Sequence, residues 1–217
     1  MDFTLARPGP ELGPEGYHEL GRAHGLRLDP ERYAAARVAA IANLERHPDL
    51  DHDEAVWVRF TEDIVRGMGG DGPNIGPVAR EIVRRWEQAH HFELYDDALP
   101  VLDALRRAGL KLGLVSNTSR DLDAFVRHFG IDVDAWISSG SHGKVKPSPL
   151  IFAAALDLLG VTAADAVMVG DSPEDDVEGA RASGIRAILL DRAGRFPEHE
   201  ERIESLSELP AAIGLGT

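Results

Sequence analysis

Apolar positions along this chain fall into two regimes. Between Glu15 and His91 they recur at helical spacing, which predicts helices over 15–25, 30–46, 52–67 and 77–90, separated by loops at Arg27-Leu28-Asp29, His47-Pro48-Asp49 and Gly69–Asn74. After His91 short apolar runs alternate with helices. The runs are Leu112–Val115, Ala135–Ile137, Ala166–Val169 and Arg186–Leu190, and the helices lie over 97–108, 120–129, 148–159, 174–183 and 205–213. Ahead of both regimes, Arg7-Pro8-Gly9-Pro10 and Gly13-Pro14 punctuate the chain as a linker or turn.

Short apolar strands separated by helices predict a parallel sheet buried on both faces, so the fold class is α/β with an inserted run of helices. In open sheets of that kind, ligands bind beyond the carboxyl ends of the strands. Polar residues stand at three such ends: Ser116-Asn117, Asp171-Ser172 and Asp191. The first two clusters are site candidates. In the helical region Tyr17, Tyr33, Trp57 and Phe60 fall at a spacing that predicts core packing, although with Arg37 they are also the residues available to face a site.

Composition narrows the chemistry. Cysteine is absent, so disulfides and thiolate chemistry are excluded and any nucleophile is an oxygen or a nitrogen. A net charge of −14 disfavours nucleic acid and anionic lipid as partners, and an anionic substrate needs a local cation. Lysine is scarce, three against twenty arginines, yet two of the three fall together in Gly143-Lys144-Val145-Lys146-Pro147. A compact ammonium there supplies such a cation, though a surface loop carries lysines for no reason of function. Without a secretory leader pattern or an apolar run of about 18 residues, the expectation is a soluble cytoplasmic protein, with no membrane partner. Oligomeric state is not legible.

Asp171-Ser172-Pro173-Glu174-Asp175-Asp176 offers four carboxylates in six residues. Oxygen ligands suit a hard cation, magnesium first, while the same acids favour the positive end of a following helix. Ser116 and the polar residues after it suit an anion at a helix start, or simply start a helix. Asp51-His52-Asp53-Glu54 reads as capping of the next helix rather than a metal cluster, and His90-His91 as structural.

In combination these segments resemble the haloacid dehalogenase superfamily, which carries four short motifs in fixed order. Leu112–Val115 followed by Ser116-Asn117 matches the second motif, Lys146-Pro147 the third, and Gly170-Asp171-Ser172 with Asp176-Val177-Glu178-Gly179-Ala180 the fourth. Met1-Asp2-Phe3-Thr4-Leu5 matches the end of the first, Asp-x-Asp-x-Thr, with the nucleophilic first Asp one position before Met1.

The resemblance implies a Rossmann-like α/β core over 1–8 and 93–217, its first strand upstream, and a helical cap over 9–92. It also implies a magnesium-dependent phosphatase for a small phosphorylated metabolite, working through an aspartyl-phosphate. In that reading Asp2 is the general acid and base and touches the metal through its backbone carbonyl, Ser116 and Lys146 hold the phosphoryl oxygens with Thr4 and Asn117 beside them, and Asp171 and Asp176 bind Mg²⁺. Two other readings stand beside it: a 2-haloacid dehalogenase-like hydrolase, which needs no metal, and a non-catalytic binding module that lost the nucleophile. The expectation for the chain itself is that its natural start lies upstream, with an apolar strand ending in Asp-x.

Overall fold

A computed structural model describes residues 1–44 and 51–215. The loop predicted at His47-Pro48-Asp49 and the end of the helix predicted over 30–46 lie outside the described residues. The chain divides into two compact units: Met1–Arg7, Arg46–His52 and Leu94–Thr217 form one, Pro8–Glu45 and Asp53–Glu93 the other.

The second unit is helical. Its helices are α1 (Pro14–Ala23), α2 (Tyr33–Ala42), α3 (Glu54–Gly67) and α4 (Ile75–Trp86). Pro14 opens α1, where its missing N–H costs nothing, and the Asp53 carboxylate caps α3 by accepting the Ala55 N–H at 2.8 Å. Tyr17, Leu20, Leu28, Ile64, Val65, Met68, Val78 and Ile82 form one buried cluster. Each such side chain contributes roughly 1.5–3 kcal/mol on burial. Tyr33 and Phe60 pack against this cluster, and Tyr17 meets Tyr33 edge-on at 5.2 Å, so these aromatic residues are core.

Two short strands, β1 (Ala6–Pro8) and β2 (Phe92–Leu94), form a two-stranded sheet. Pro8, read from sequence as linker, ends β1, a strand position at which a missing N–H is tolerated.

The other unit is α/β. It comprises α5 (Ala98–Arg107), β3 (Gly113–Ser116), α6 (Leu122–Phe129), β4 (Ala135–Ser138), α7 (Ser139–His142), α8 (Pro149–Leu159), β5 (Val167–Gly170), α9 (Gly179–Ala182), β6 (Arg186–Leu190), β7 (Arg202–Ile203) and α10 (Leu209–Ala212). All pairing among the last five strands is parallel. β3 pairs with β4, aligning Ser116 with Ser138, while β5, β6 and β7 form a separate three-stranded sheet. The single sheet expected from sequence is therefore two. Val115 of β3 and Met168 of β5 pack against the same cluster of Ile137, Ile151, Phe152, Val177, Ala187 and Leu189, which gives both sheets a common core.

The predicted helix over 174–183 is a widened π-turn, Pro173–Glu178, running into the short α9. The main-chain N–H groups of Asp176 and Val177 both donate to the Ser172 carbonyl, at 3.0 and 3.2 Å. Such widening re-aims a side chain, here that of Asp176. The helix predicted over 205–213 is a 3₁₀ turn, Leu206–Glu208, continued by α10 and opened by a reciprocal Ser205–Glu208 cap.

Candidate active site

The site lies in the α/β unit, at the carboxyl ends of β3 and β5. Ser116 closes β3 and is buried, and its hydroxyl makes no hydrogen bond among the described residues. Asn117, next along, spends its side-chain amide on the main chain of Lys146: Oδ1 accepts the Lys146 N–H at 2.7 Å and Nδ2 donates to the Lys146 carbonyl at 3.0 Å. The Asn117 side chain thus grips the lysine loop and registers Lys146 against Ser116.

Lys146 is buried, and its ammonium donates to Asp176 Oδ1 at 2.5 Å. Burial works against the ammonium, but the Asp176 carboxylate outweighs it and holds the Lys146 pKa up. For Asp176, burial is likewise opposed by Lys146, and the pKa stands lowered. Both groups are therefore charged at neutral pH. The Asp176 carboxylate also accepts the Ser172 N–H at 3.0 Å, folding back over the strand end. Gly170 makes room for it, since a Cβ there would collide with the Asp176 carboxyl group.

Asp171, the first residue beyond β5, accepts the Thr4 hydroxyl at 3.0 Å, which ties the first-motif turn to the fourth motif. Arg192 steadies the same turn by donating to the Thr4 carbonyl at 2.9 Å while it forks onto Asp97 and lies over the Tyr95 ring at 3.9 Å. Burial pushes the Asp171 carboxyl pKa up, and the neighbouring Asp176 charge adds to it.

Asp2 makes a two-pronged salt bridge to Arg120, 2.8 and 3.2 Å. Arg120 is 1% exposed and stands over Phe125, with its main-chain N–H donating to the Thr118 hydroxyl at 3.1 Å. Sequence reasoning missed Arg120 and Arg192, because the signal is a contact and their patterns are those of ordinary charged surface positions.

Among the described residues no group of three or more His, Cys, Asp or Glu side chains is placed to hold a metal ion. Of the side chains in the expected set, the Asp2 carboxylate is taken up by Arg120 and the Asp176 carboxylate by Lys146, while the metal contact expected of Asp2 is its main-chain carbonyl. Asp171 differs from both: the Met1 ammonium and Lys146 attract its charge, but burial and the Asp176 carboxylate outweigh them. An oxygen donor set that includes a buried carboxylate whose charge is disfavoured on balance fits a hard divalent cation.

The arrangement sets a buried ammonium and an uncommitted hydroxyl, suited to phosphoryl oxygens, beside carboxylates suited to a cation. Comparison with known proteins agrees with that chemistry. Residues 11–184 match the family model described as haloacid dehalogenase-like hydrolase. A phosphoserine phosphatase of Thermus thermophilus is 37% identical over 93% of this chain and 90% of its own. A haloacid dehalogenase-type phosphatase of Thermococcus onnurineus superimposes with a TM-score of 0.66 at 27% identity, covering 98% of this chain and 95% of its own. A 2-haloacid dehalogenase of Pseudomonas syringae gives 0.62 at 25% identity, over the same shares of the two chains.

Proposed function

This chain belongs to the haloacid dehalogenase-like hydrolases, and from that premise we propose that it is a magnesium-dependent phosphatase acting on a small phosphate monoester. The observation that carries the reading is the buried Lys146 ammonium, set against Asp176 and electrostatically coupled to Asp171, and registered to Ser116 through Asn117.

In the proposed reaction Lys146 and Ser116 bind the phosphoryl oxygens, and Thr4 fixes Asp171. Asp171 and Asp176, with the main-chain carbonyl of Asp2, are the groups that would hold Mg²⁺. When bound, that ion supplies charge neutralisation for the phosphoryl group.

Asp2 is the proposed general acid and base: once its carboxyl group leaves the Arg120 salt bridge and takes up a proton, it gives that proton to the leaving alcohol and later takes one from water. The proposed aspartyl nucleophile is the residue one position before Met1, a reading supported by the register of Asp2-Phe3-Thr4-Leu5. Its carboxylate takes the phosphoryl group as the ester oxygen leaves, and water then hydrolyses the aspartyl-phosphate to carboxylate and inorganic phosphate. The open edges of β3 and β5, each paired on one side only among the described residues, support an upstream apolar strand there. The helical unit is assigned as the cap that selects substrate, and the proposed setting is the cytoplasm; no described helix is long and apolar enough to cross a membrane.

The test is phosphate release from an aryl phosphate and from O-phosphoserine by a chain extended upstream, with and without Mg²⁺. Turnover that requires Mg²⁺ supports the proposal. A dehalogenase is the competing reading, favoured by the likeness to the Pseudomonas syringae enzyme, and halide release from chloroacetate without added metal would establish it. Absence of both activities would favour the non-catalytic module.

A further inference from the structure

His52 falls, in sequence, between two stretches of the helical unit, yet it belongs to the α/β unit. Its main-chain N–H donates to the Gly143 carbonyl at 2.8 Å, and its neighbour Asp51 pairs with Lys144 at 2.5 Å. Its imidazole joins two loops. Nδ1 is 2.9 Å from the Ser139 hydroxyl and Nε2 is 3.2 Å from the Ser119 hydroxyl. Ser139 is fully buried and accepts the Thr118 N–H at 2.9 Å, and Gly140 donates its N–H to the Thr118 carbonyl at 3.0 Å.

The segment from Ser116 to Ser119 is thereby fixed on both flanks. Asn117 is tied to Lys146, while Thr118 and Ser119 are tied to Ser139 and His52. Between these anchors the Ser116 hydroxyl alone is left without a hydrogen-bond partner among the described residues. Hydroxyls donate or accept as needed, so the two serines satisfy a neutral imidazole in either tautomer.

We propose that His52 is a positioning residue for phosphoryl binding, holding the Ser116–Ser119 loop so that its hydroxyl and main-chain groups meet an anion with no rearrangement. The proposal rests on the phosphatase reading and deepens it. A merely structural clasp would lower stability when removed but would not separate anion affinity from turnover.

The experiment uses the upstream-extended chain, with orthophosphate as competitive inhibitor and p-nitrophenyl phosphate as substrate. In His52→Ala, KM and the orthophosphate inhibition constant are expected to rise about tenfold, the worth of one good hydrogen bond, while kcat changes much less. His52→Asn, which keeps a polar atom near the Nδ1 position, and His52→Gln, which keeps one near Nε2, are expected to restore part of the affinity. Unchanged KM and inhibition constant in His52→Ala would overturn the proposal, as would equal losses in all three variants that follow their melting temperatures. If His52→Ala does not fold, Ser119→Ala removes one end of the bridge and is expected to weaken orthophosphate in the same direction, an unchanged constant again counting against the proposal. A wild-type protein that neither turns over nor binds orthophosphate sinks the phosphatase reading and this proposal with it. In that event hydrogen exchange at the Thr118 amide tells whether the clasp exists, because exchange quickens in His52→Ala only if the imidazole holds the loop.

Discussion

The side-chain amide of Asn117 holds the main chain of Lys146 from both sides, accepting its N–H at 2.7 Å and donating to its carbonyl at 3.0 Å. The lysine is therefore placed by its backbone, leaving its ammonium for Asp176 and for substrate. Asn117→Ala leaves two partly buried polar groups without partners, at a cost of about 2 kcal/mol in stability. It also lets Lys146 drift, so kcat/KM is expected to fall roughly 10- to 100-fold. Thermal unfolding and steady-state kinetics on the same preparation check both figures.

Lys146→Met preserves much of the side chain's bulk and removes its charge. Asp176 is then left buried without its cation, which costs about 3–5 kcal/mol. The variant is expected to melt well below the wild type and to lose at least about 100-fold in kcat/KM, since the charge on the phosphoryl oxygens is no longer met. Denaturant unfolding measures the first and phosphate release the second.

Asp171→Asn separates binding of a cation from folding. Asp171 is a buried carboxylate whose charge burial and Asp176 oppose more than the Met1 ammonium, Thr4 and Lys146 favour it, so removing that charge relieves a net cost. Without metal the variant is expected to melt at or above the wild-type temperature, and adding Mg²⁺ is expected to raise the melting temperature of the wild type only. Differential scanning calorimetry with and without Mg²⁺ decides it; an equal rise in both proteins would remove Asp171 from the metal site.

Asp97 gives an acid limb to stability. Burial opposes its charge, but Arg192, Ser205 and the Leu206 N–H outweigh burial and hold its pKa below the ordinary value. A lowered carboxylate adds stability that is complete above the unfolded pKa, near 4, and is lost as pH falls through the folded value. Asp97→Asn is expected to be less stable at pH 7 by roughly 2–3 kcal/mol and to lose part of the wild-type slope between about pH 4 and the acid transition. Melting temperatures across pH 2–7 test this.

The elements that carry the site were legible because their signal is local. Arg186–Leu190, with four consecutive apolar residues after the arginine, forms β6 as read, and Ser116 ends β3 and Asp171 follows β5 where their position after apolar runs put them. Strands of two or three residues, such as Arg202–Ile203 and Ala6–Pro8, are too short to leave a period. The π-turn over Pro173–Glu178 was read as ordinary helix, since its widening depends on Asp176 being drawn back to Ser172 and Lys146. Arg120 and His52 escaped for another reason: their partners lie 118 residues away in Asp2, and 67 and 87 residues away in Ser119 and Ser139. Pairings at that separation exist only once the chain has folded.

Phosphate release from p-nitrophenyl phosphate by the upstream-extended chain, measured with Mg²⁺ and with the metal chelated, tests the central claim most directly. Turnover with Mg²⁺ that disappears on chelation, and in both Lys146→Met and Asp171→Asn, is the result predicted. Turnover that survives chelation, or persists at wild-type rate in a folded Asp171→Asn variant, would contradict it.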